Sequence, residues 1–64
     1  MEKIEIDHVN YPKSLRRKGI VELLYIIEDA RKAIRAYPEN PKAGYYADEI
    51  NYASMEIARR HTGT

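Results

Sequence analysis

The sequence predicts a mainly α-helical protein in which a short N-terminal strand or extended arm precedes an antiparallel two-helix hairpin. Residues 2–9 alternate charged and apolar side chains, whereas residues 20–37 and 41–60 space their apolar side chains at helical intervals. A short connection between two helices of similar length makes them fold back on each other. The 64 residues form one small domain, whose limited core favours completion by dimerisation.

The predicted arm spans residues 1–12 and is followed by a basic turn, residues 13–19. Ile4 and Ile6 lie on one side of an extended segment, which is the period-2 pattern of a half-buried strand. In the basic turn, Ser14 is a candidate cap for a single helical turn. Gly19 is a candidate left-handed residue that would end this turn.

The two predicted helices each have an apolar stripe. Pro38 cannot extend the first helix, and Asn40 followed by Pro41 is a typical helix start. The stripe of the first helix contains Ile20, Leu23, Leu24, Ile27, Ala30, Ile34 and Tyr37. The stripe of the second contains Ala43, Tyr46, Ala47, Ile50, Ala53, Ser54 and Ile57. The smaller side chains of the second helix would let the two helix axes approach closely.

The segment AIRAYPENPKAGYY, residues 33–46, resembles the junction between two tetratricopeptide repeats. The chain departs from that pattern, since Ala30 lies where the repeat has a bulky aromatic residue and Asp48 where it has glycine. The sequence also contains only one helical pair, whereas repeat arrays need about three. We therefore attribute the likeness to shared helix-stop chemistry and transfer no functional residue.

Composition argues against several classes of protein. There is no cysteine, and His8 and His61 are far apart, so neither a disulfide nor a metal site is expected. No hydroxyl group has a base at a suitable spacing, so we expect neither catalysis nor a cofactor. The longest apolar run, residues 23–27, is too short to cross a membrane, and no leader segment opens the chain. A cytoplasmic protein is expected.

The basic turn concentrates positive charge in a chain whose net charge is +1. Cations at the start of a helix oppose its dipole, so local stability does not explain them. They could attract an acidic protein or a nucleic-acid backbone, or they could be a solvated turn. In an antiparallel hairpin, the end of the second helix returns to this cluster. The predicted basic patch comprises Lys13, Arg16, Arg17, Lys18, Arg59 and Arg60.

Each predicted helix also has apolar side chains outside its stripe. On the second helix these are Tyr45, Tyr52 and Met55, and on the first they are Val21 and Tyr25. Aromatic residues and methionine surrounded by charge are typical of interface centres, although exposed tyrosines are also common in proteins without partners. These five residues are the predicted partner-binding positions.

Together these patterns predict a small non-enzymatic regulatory or adaptor protein, a homodimer that binds a protein partner of unknown identity. Its size is typical of bacterial and phage regulators. The alternative is a nucleic-acid-binding regulator that uses residues 13–18 and 59–60. A strand followed by two helices resembles the ribbon-helix-helix order, but the outward strand residues Lys3, Glu5 and Asp7 include two anions. The balanced charge also favours protein binding.

Overall fold

The computed structural model describes residues 5–62. This part of the chain contains three helices, α1 (Asn10–Leu15), α2 (Ile20–Ala36) and α3 (Ala43–Thr62). The predicted mainly helical class is confirmed. None of the three helices combines the length and the apolar character that crossing a membrane requires.

The segment before α1 differs from the predicted strand. Residues 5–7 have no regular structure and residues 8–9 form a turn, while residues 2–4 lie outside the described part of the chain. Asp7 explains the difference, because its Oδ1 accepts hydrogen bonds from the amides of Val9 and Asn10, both at 2.9 Å. The backbone carbonyl of Asp7 also accepts the amide of Tyr11 at 3.0 Å. Asp7 therefore forms a turn before α1, which begins at Asn10 inside the predicted arm.

Part of the predicted basic turn is helical. Ser14 lies inside α1, where its hydroxyl donates to the carbonyl of Tyr11 at 2.7 Å, so it is not the cap that was predicted. Gly19 does not end this helix in a left-handed conformation, since its φ is −76°. It is the N-cap of α2, and its amide donates to Glu22 Oε1 at 2.9 Å.

The connection between α2 and α3 follows the predicted stop and start chemistry. The first long helix ends at Ala36, one residue before the predicted limit. Asn40 Oδ1 accepts the amide of Lys42 at 2.9 Å, and the carbonyl of Asn40 accepts the amide of Ala43 at the same distance. A tight turn therefore precedes α3, which begins at Ala43 instead of at Pro41.

The helices α2 and α3 pack along each other as an antiparallel pair, and α1 packs against α3. The end of α3 lies beside the start of α2, because Arg60 contacts the carbonyl of Lys18 at 2.6 Å. The principal dimensions are 42 × 23 × 15 Å, so the molecule is elongated along the two long helices.

The core is small and receives one fully buried side chain from each helix: Leu15 from α1, Leu23 from α2 and Ala53 from α3. Ile6 and Ala30 are also buried. The partly buried side chains around this centre are Tyr11, Ile26, Ile27, Tyr52 and Ile57. Because so few side chains are fully enclosed, the fold depends on contacts among all three helices.

The two predicted stripes match the buried faces only in part. On α2, the structure exposes Ile20 and Leu24, and Tyr37 after it, although all three were assigned to the core. On α3, Ala47 and Ser54 are exposed. The buried sector of α3 is instead shifted toward Tyr52 and the almost completely buried Glu56, because α1 covers that side of the helix.

Candidate functional site

The cations of residues 13–18 lie in the last turn of α1 and directly after it, and they line two different surface depressions. Lys13, Arg17 and Lys18 line a surface depression of about 460 Å³, together with the acidic side chain of Glu22. Arg16 lines a different groove. Most of the cluster follows the carboxyl end of α1, where a helix dipole favours cations. The same cations directly precede α2, whose dipole opposes them, so the two helix ends have opposite effects on this charge.

Arg60 lies at the centre of the contact between the end of α3 and the end of α1. One of its terminal nitrogens, with two hydrogens to share, lies within hydrogen-bond distance of the carbonyls of Leu15, Arg16 and Lys18, at 3.0, 3.2 and 2.6 Å. Its Nε donates to Glu56 Oε2 at 2.8 Å. The end of α3 therefore lies beside the basic turn, as predicted. The donors of Arg60, however, are bonded to groups of the fold itself.

Glu56 joins the two arginines at the end of α3. Its carboxylate accepts hydrogen bonds from Arg59 at 2.7 and 3.1 Å and from Arg60 at 2.8 Å. These bonds, first from Arg59 and then from Arg60, lower the pKa of Glu56 to about 2. Glu56 is a residue that the sequence analysis missed, although its spacing of three and four residues from the arginines was a visible signal.

A groove of about 300 Å³ lies between α1 and α3, and we call it the Met55 groove. Its lining consists of Pro12, Arg16, Tyr52, Met55, Glu56 and Arg59. Met55 is 56% exposed, and the side chain of Arg59 is 55% exposed. The groove thus brings together two predicted partner-binding residues, Tyr52 and Met55, and two cations of the predicted basic patch. These cations, Arg16 and Arg59, lie 43 positions apart in the chain.

The environment of Tyr52 differs from the prediction. Its side chain is partly buried and packs against the core, whereas the sequence placed it outside the core stripe of its helix. Its ring centroid is 6.1 Å from that of Tyr11 and 5.8 Å from that of His8. A hydrogen bond of 2.7 Å joins its hydroxyl to His8 Nδ1. Tyr52 therefore fixes one wall of the Met55 groove while it holds the N-terminal segment on α3.

Tyr11 also bonds to α3 through its hydroxyl, which donates to Glu49 Oε2 at 3.3 Å. Burial, followed by the adjacent carboxylate, raises the pKa of Tyr11, so that the phenol keeps its proton near neutral pH. Burial likewise raises the pKa of Glu49. This pair ties α1 to the middle of α3.

Tyr45 lies apart from the Met55 groove, near the start of α3. Its half-buried ring packs edge-on against Tyr46, with the ring centroids 6.3 Å apart. The ammonium group of Lys42 lies 5.9 Å from the centroid of the Tyr45 ring, which is a cation–π distance. Tyr45 therefore does not line the groove that Tyr52 and Met55 share.

The exposed side of α2 carries four apolar residues, which we call the α2 apolar face: Ile20, Val21, Leu24 and Tyr25. Their side chains are between 44% and 65% exposed. Two of them, Val21 and Tyr25, are predicted partner-binding residues. Ile20 and Leu24 enlarge that surface, and the sequence analysis missed them because they also fit the core stripe.

Within residues 5–62, no group of three or more histidine, cysteine, aspartate or glutamate side chains is arranged to hold a metal ion. Comparisons with protein-family models, curated proteins and solved structures give no match to this chain.

Proposed function

We propose that this chain is a small regulatory or adaptor protein that acts by binding proteins, as a homodimer formed through the α2 apolar face. The observation that carries the proposal is the row of four exposed apolar side chains on one helix. A contiguous apolar surface of this kind is typical of a protein interface. The proposal assigns no catalytic residue or cofactor, and it places the protein in the cytoplasm, as the cysteine-free sequence favours.

The total surface area supports a second copy as one partner. The accessible surface is 5040 Å², whereas a folded monomer of 7.5 kDa has about 4,250 Å² by the usual scaling with mass. The excess, about 800 Å², reflects the elongated shape, which leaves the outer sides of the long helices uncovered. A symmetric dimer, in which both copies use the same face, would cover apolar surface that the monomer exposes.

A heterologous partner would bind at the Met55 groove, where Tyr52 and Met55 adjoin Arg16 and Arg59. Two of the three residues of the predicted tyrosine and methionine surface, Tyr52 and Met55, lie here beside two cations of the predicted basic patch. A dimer formed through α2 would present two such grooves. Two grooves would strengthen binding to a partner with repeated recognition segments.

Sedimentation velocity over a range of protein concentrations tests the dimer. We expect wild-type protein to be dimeric at high micromolar concentration and the double variant Val21→Lys, Tyr25→Lys to be monomeric. The control is Ala36→Lys, Ala58→Lys, which adds the same charge at exposed positions outside the α2 apolar face. Wild-type protein that remains monomeric at high micromolar concentration would refute the dimer.

Nucleic-acid binding is a second candidate, favoured by the three cations that line one depression beside α1. Two features weaken it. Glu22 lines the same depression, and its charge would oppose a phosphate backbone. Arg60, which was expected to extend the basic patch, is engaged with backbone carbonyls and Glu56. Protein binding is therefore the function that we favour.

A further inference from the structure

The Met55 groove combines an apolar floor with a positive rim. Pro12, Tyr52 and Met55 supply apolar surface, and Arg16 and Arg59 border it. Its volume of about 300 Å³ is at the lower end of the range for ligand pockets. The groove can therefore hold one large side chain of a partner, with the adjacent backbone of that partner crossing the rim.

Charge decides what kind of segment would fit. Glu56 is the single acidic residue of the lining, and its carboxylate is already bonded to Arg59 and Arg60. The two lining arginines outnumber this one anion, so the lining carries a net positive charge. A carboxylate that arrives beside the groove would be attracted to Arg16 and to the half-exposed side chain of Arg59.

The walls of the groove are held in place before any partner arrives. Tyr52 is fixed by its contacts with His8 and Tyr11, and Glu56 is fixed by two arginines. Met55, in contrast, has a flexible thioether side chain that can adapt to partners of different shape. Rigid walls reduce the entropy lost on binding, because fewer side chains must be ordered.

From this combination we infer that the Met55 groove binds a short acidic segment of another protein, with one large apolar side chain in the groove and a carboxylate beside Arg16. This inference rests on the proposed protein-binding function and specifies the chemistry of the partner. Apolar burial supplies affinity, while the arginines select acidic segments and raise the association rate.

Selection from a displayed library of random linear peptides tests the inference. We expect wild-type protein to enrich peptides that combine a leucine, phenylalanine or tryptophan with at least one adjacent aspartate or glutamate. The affinity of a labelled, enriched peptide is then measured by fluorescence anisotropy. Enrichment of basic peptides, or of apolar peptides without acidic residues, would overturn the inference.

Four variants locate the binding site of the enriched peptide. We expect Arg16→Glu and Met55→Asp each to weaken binding at least about tenfold, as for residues at an interface centre. Arg31→Glu reverses an exposed charge on α2, and Ala47→Asp adds an anion at an exposed position of α3 more than two turns before Met55. We expect these two controls to change the affinity less than about twofold. Equal losses of peptide affinity in the control variants would show that binding depends on net charge alone and would refute the groove as the binding site.

The outcomes separate this inference from the proposed function. If the library yields no binding peptide, the groove is not the binding site. The same holds if the only enriched peptides lose their affinity in variants of the α2 apolar face. The sedimentation experiment still decides whether the homodimer forms. If labelled oligonucleotides compete with the peptide and lose affinity in the Arg16→Glu variant, the groove recognises phosphate and the peptide assignment is wrong.

Discussion

Arg60 donates a hydrogen bond to the backbone carbonyl of Lys18 across 2.6 Å, although 42 positions separate these residues in the chain. The same nitrogen also reaches the carbonyls of Leu15 and Arg16. A helix leaves its last carbonyls without partners inside the helix. In α1, the backbone amides that follow the helix already bond the carbonyls of Lys13, Ser14 and Leu15. Arg60 adds bonds to the carbonyls of Arg16 and Lys18 beyond the helix and thereby joins the end of α3 to the link between α1 and α2.

Replacing Arg60 by methionine should therefore destabilise the protein. We expect a loss of about 1.5–3 kcal/mol, the usual contribution of hydrogen bonds to a charged group. The melting temperature should fall by at least about 6 °C for a domain of this size. Urea unfolding followed by circular dichroism measures the change.

The matched control is Arg59→Met, on the same turn of α3. Arg59 bonds only to Glu56 among the described residues and is half exposed. Its replacement should therefore lower the free energy of unfolding less than the replacement of Arg60 does. Equal losses in the two variants would show that the bonds from Arg60 to the carbonyls contribute little.

The ionisation of Glu56 should make the thermal stability of the protein depend on pH. Its folded-state pKa, about 2, lies below the ordinary value of 4.5, so its ionised form stabilises the folded state above the unfolded pKa. This contribution is lost as the pH falls from about 5 toward 2. Wild-type protein should melt at a higher temperature than Glu56→Gln at neutral pH, and the difference should narrow on acidification.

Glu49, on the same helix, provides a control with the opposite sign. Burial raises its pKa, so its ionisation opposes folding at neutral pH and the penalty disappears when the carboxyl is protonated. Glu49→Gln should therefore retain or gain thermal stability at neutral pH. A loss as large as that of Glu56→Gln would show that the two carboxylates do not differ in this way.

The helical class and the main break were predictable because their signals are local. Pro38 ends α2, and Asn40 binds the amide of Lys42 as an N-cap does. By contrast, α1 was not predicted: residues 1–12 were expected to be an arm, and residues 13–19 a turn with a single helical turn. Pro12, at the end of that arm, lies in the first turn of α1. A proline in the first turn of a helix is tolerated, since amides there have no partner within the helix.

The missed helix also explains the errors on α3. Periodicity alone cannot show that α1 covers the side of α3 that carries Tyr52 and Glu56, because this contact is between distant parts of the chain. On α2, the apolar residues spread over half the circumference. The sequence could not show that the centre of packing is at Leu23 and Ala30 and that Leu24 remains exposed.

The different environments of Tyr52 and Met55 give a direct stability test. Tyr52→Ala should lose more than about 1 kcal/mol, because it removes a ring packed on the core. Met55→Ala should stay within about 0.5 kcal/mol of wild type, since the side chain is exposed. Urea unfolding of the single variants measures both. Similar stabilities for the two variants would place Tyr52 outside the folded core.

Gly44 is a position where substitution should stabilise the protein. It lies in the first turn of α3, and a Cβ atom there would meet nothing within 4 Å. Gly44→Ala should add about 0.5–1 kcal/mol, because alanine loses less backbone entropy in a helix. The melting temperature should rise by about 2–8 °C. Gly19→Ala, at the N-cap of α2, should give no such gain.

Salt dependence distinguishes protein binding from nucleic-acid binding at the basic end. Three cations, Lys13, Arg17 and Lys18, line the depression beside α1. If all three neutralised phosphates of duplex DNA, the log–log slope of affinity against salt would be about −2.7. We expect no binding tighter than about 10 μM near physiological salt, within the range of non-specific association, since Glu22 lines the same depression.

Titration of labelled duplex and single-stranded oligonucleotides at several salt concentrations measures this affinity. The double variant Lys13→Glu, Arg17→Glu removes two of the three cations, and Arg31→Glu, Lys32→Glu reverses two exposed charges on α2 as a control. Sub-micromolar binding with a steep slope that only the first variant abolishes would establish the depression as a phosphate site. Weak binding that both variants reduce equally would reflect net charge alone, because non-specific attraction depends on the number of cations and not on their arrangement.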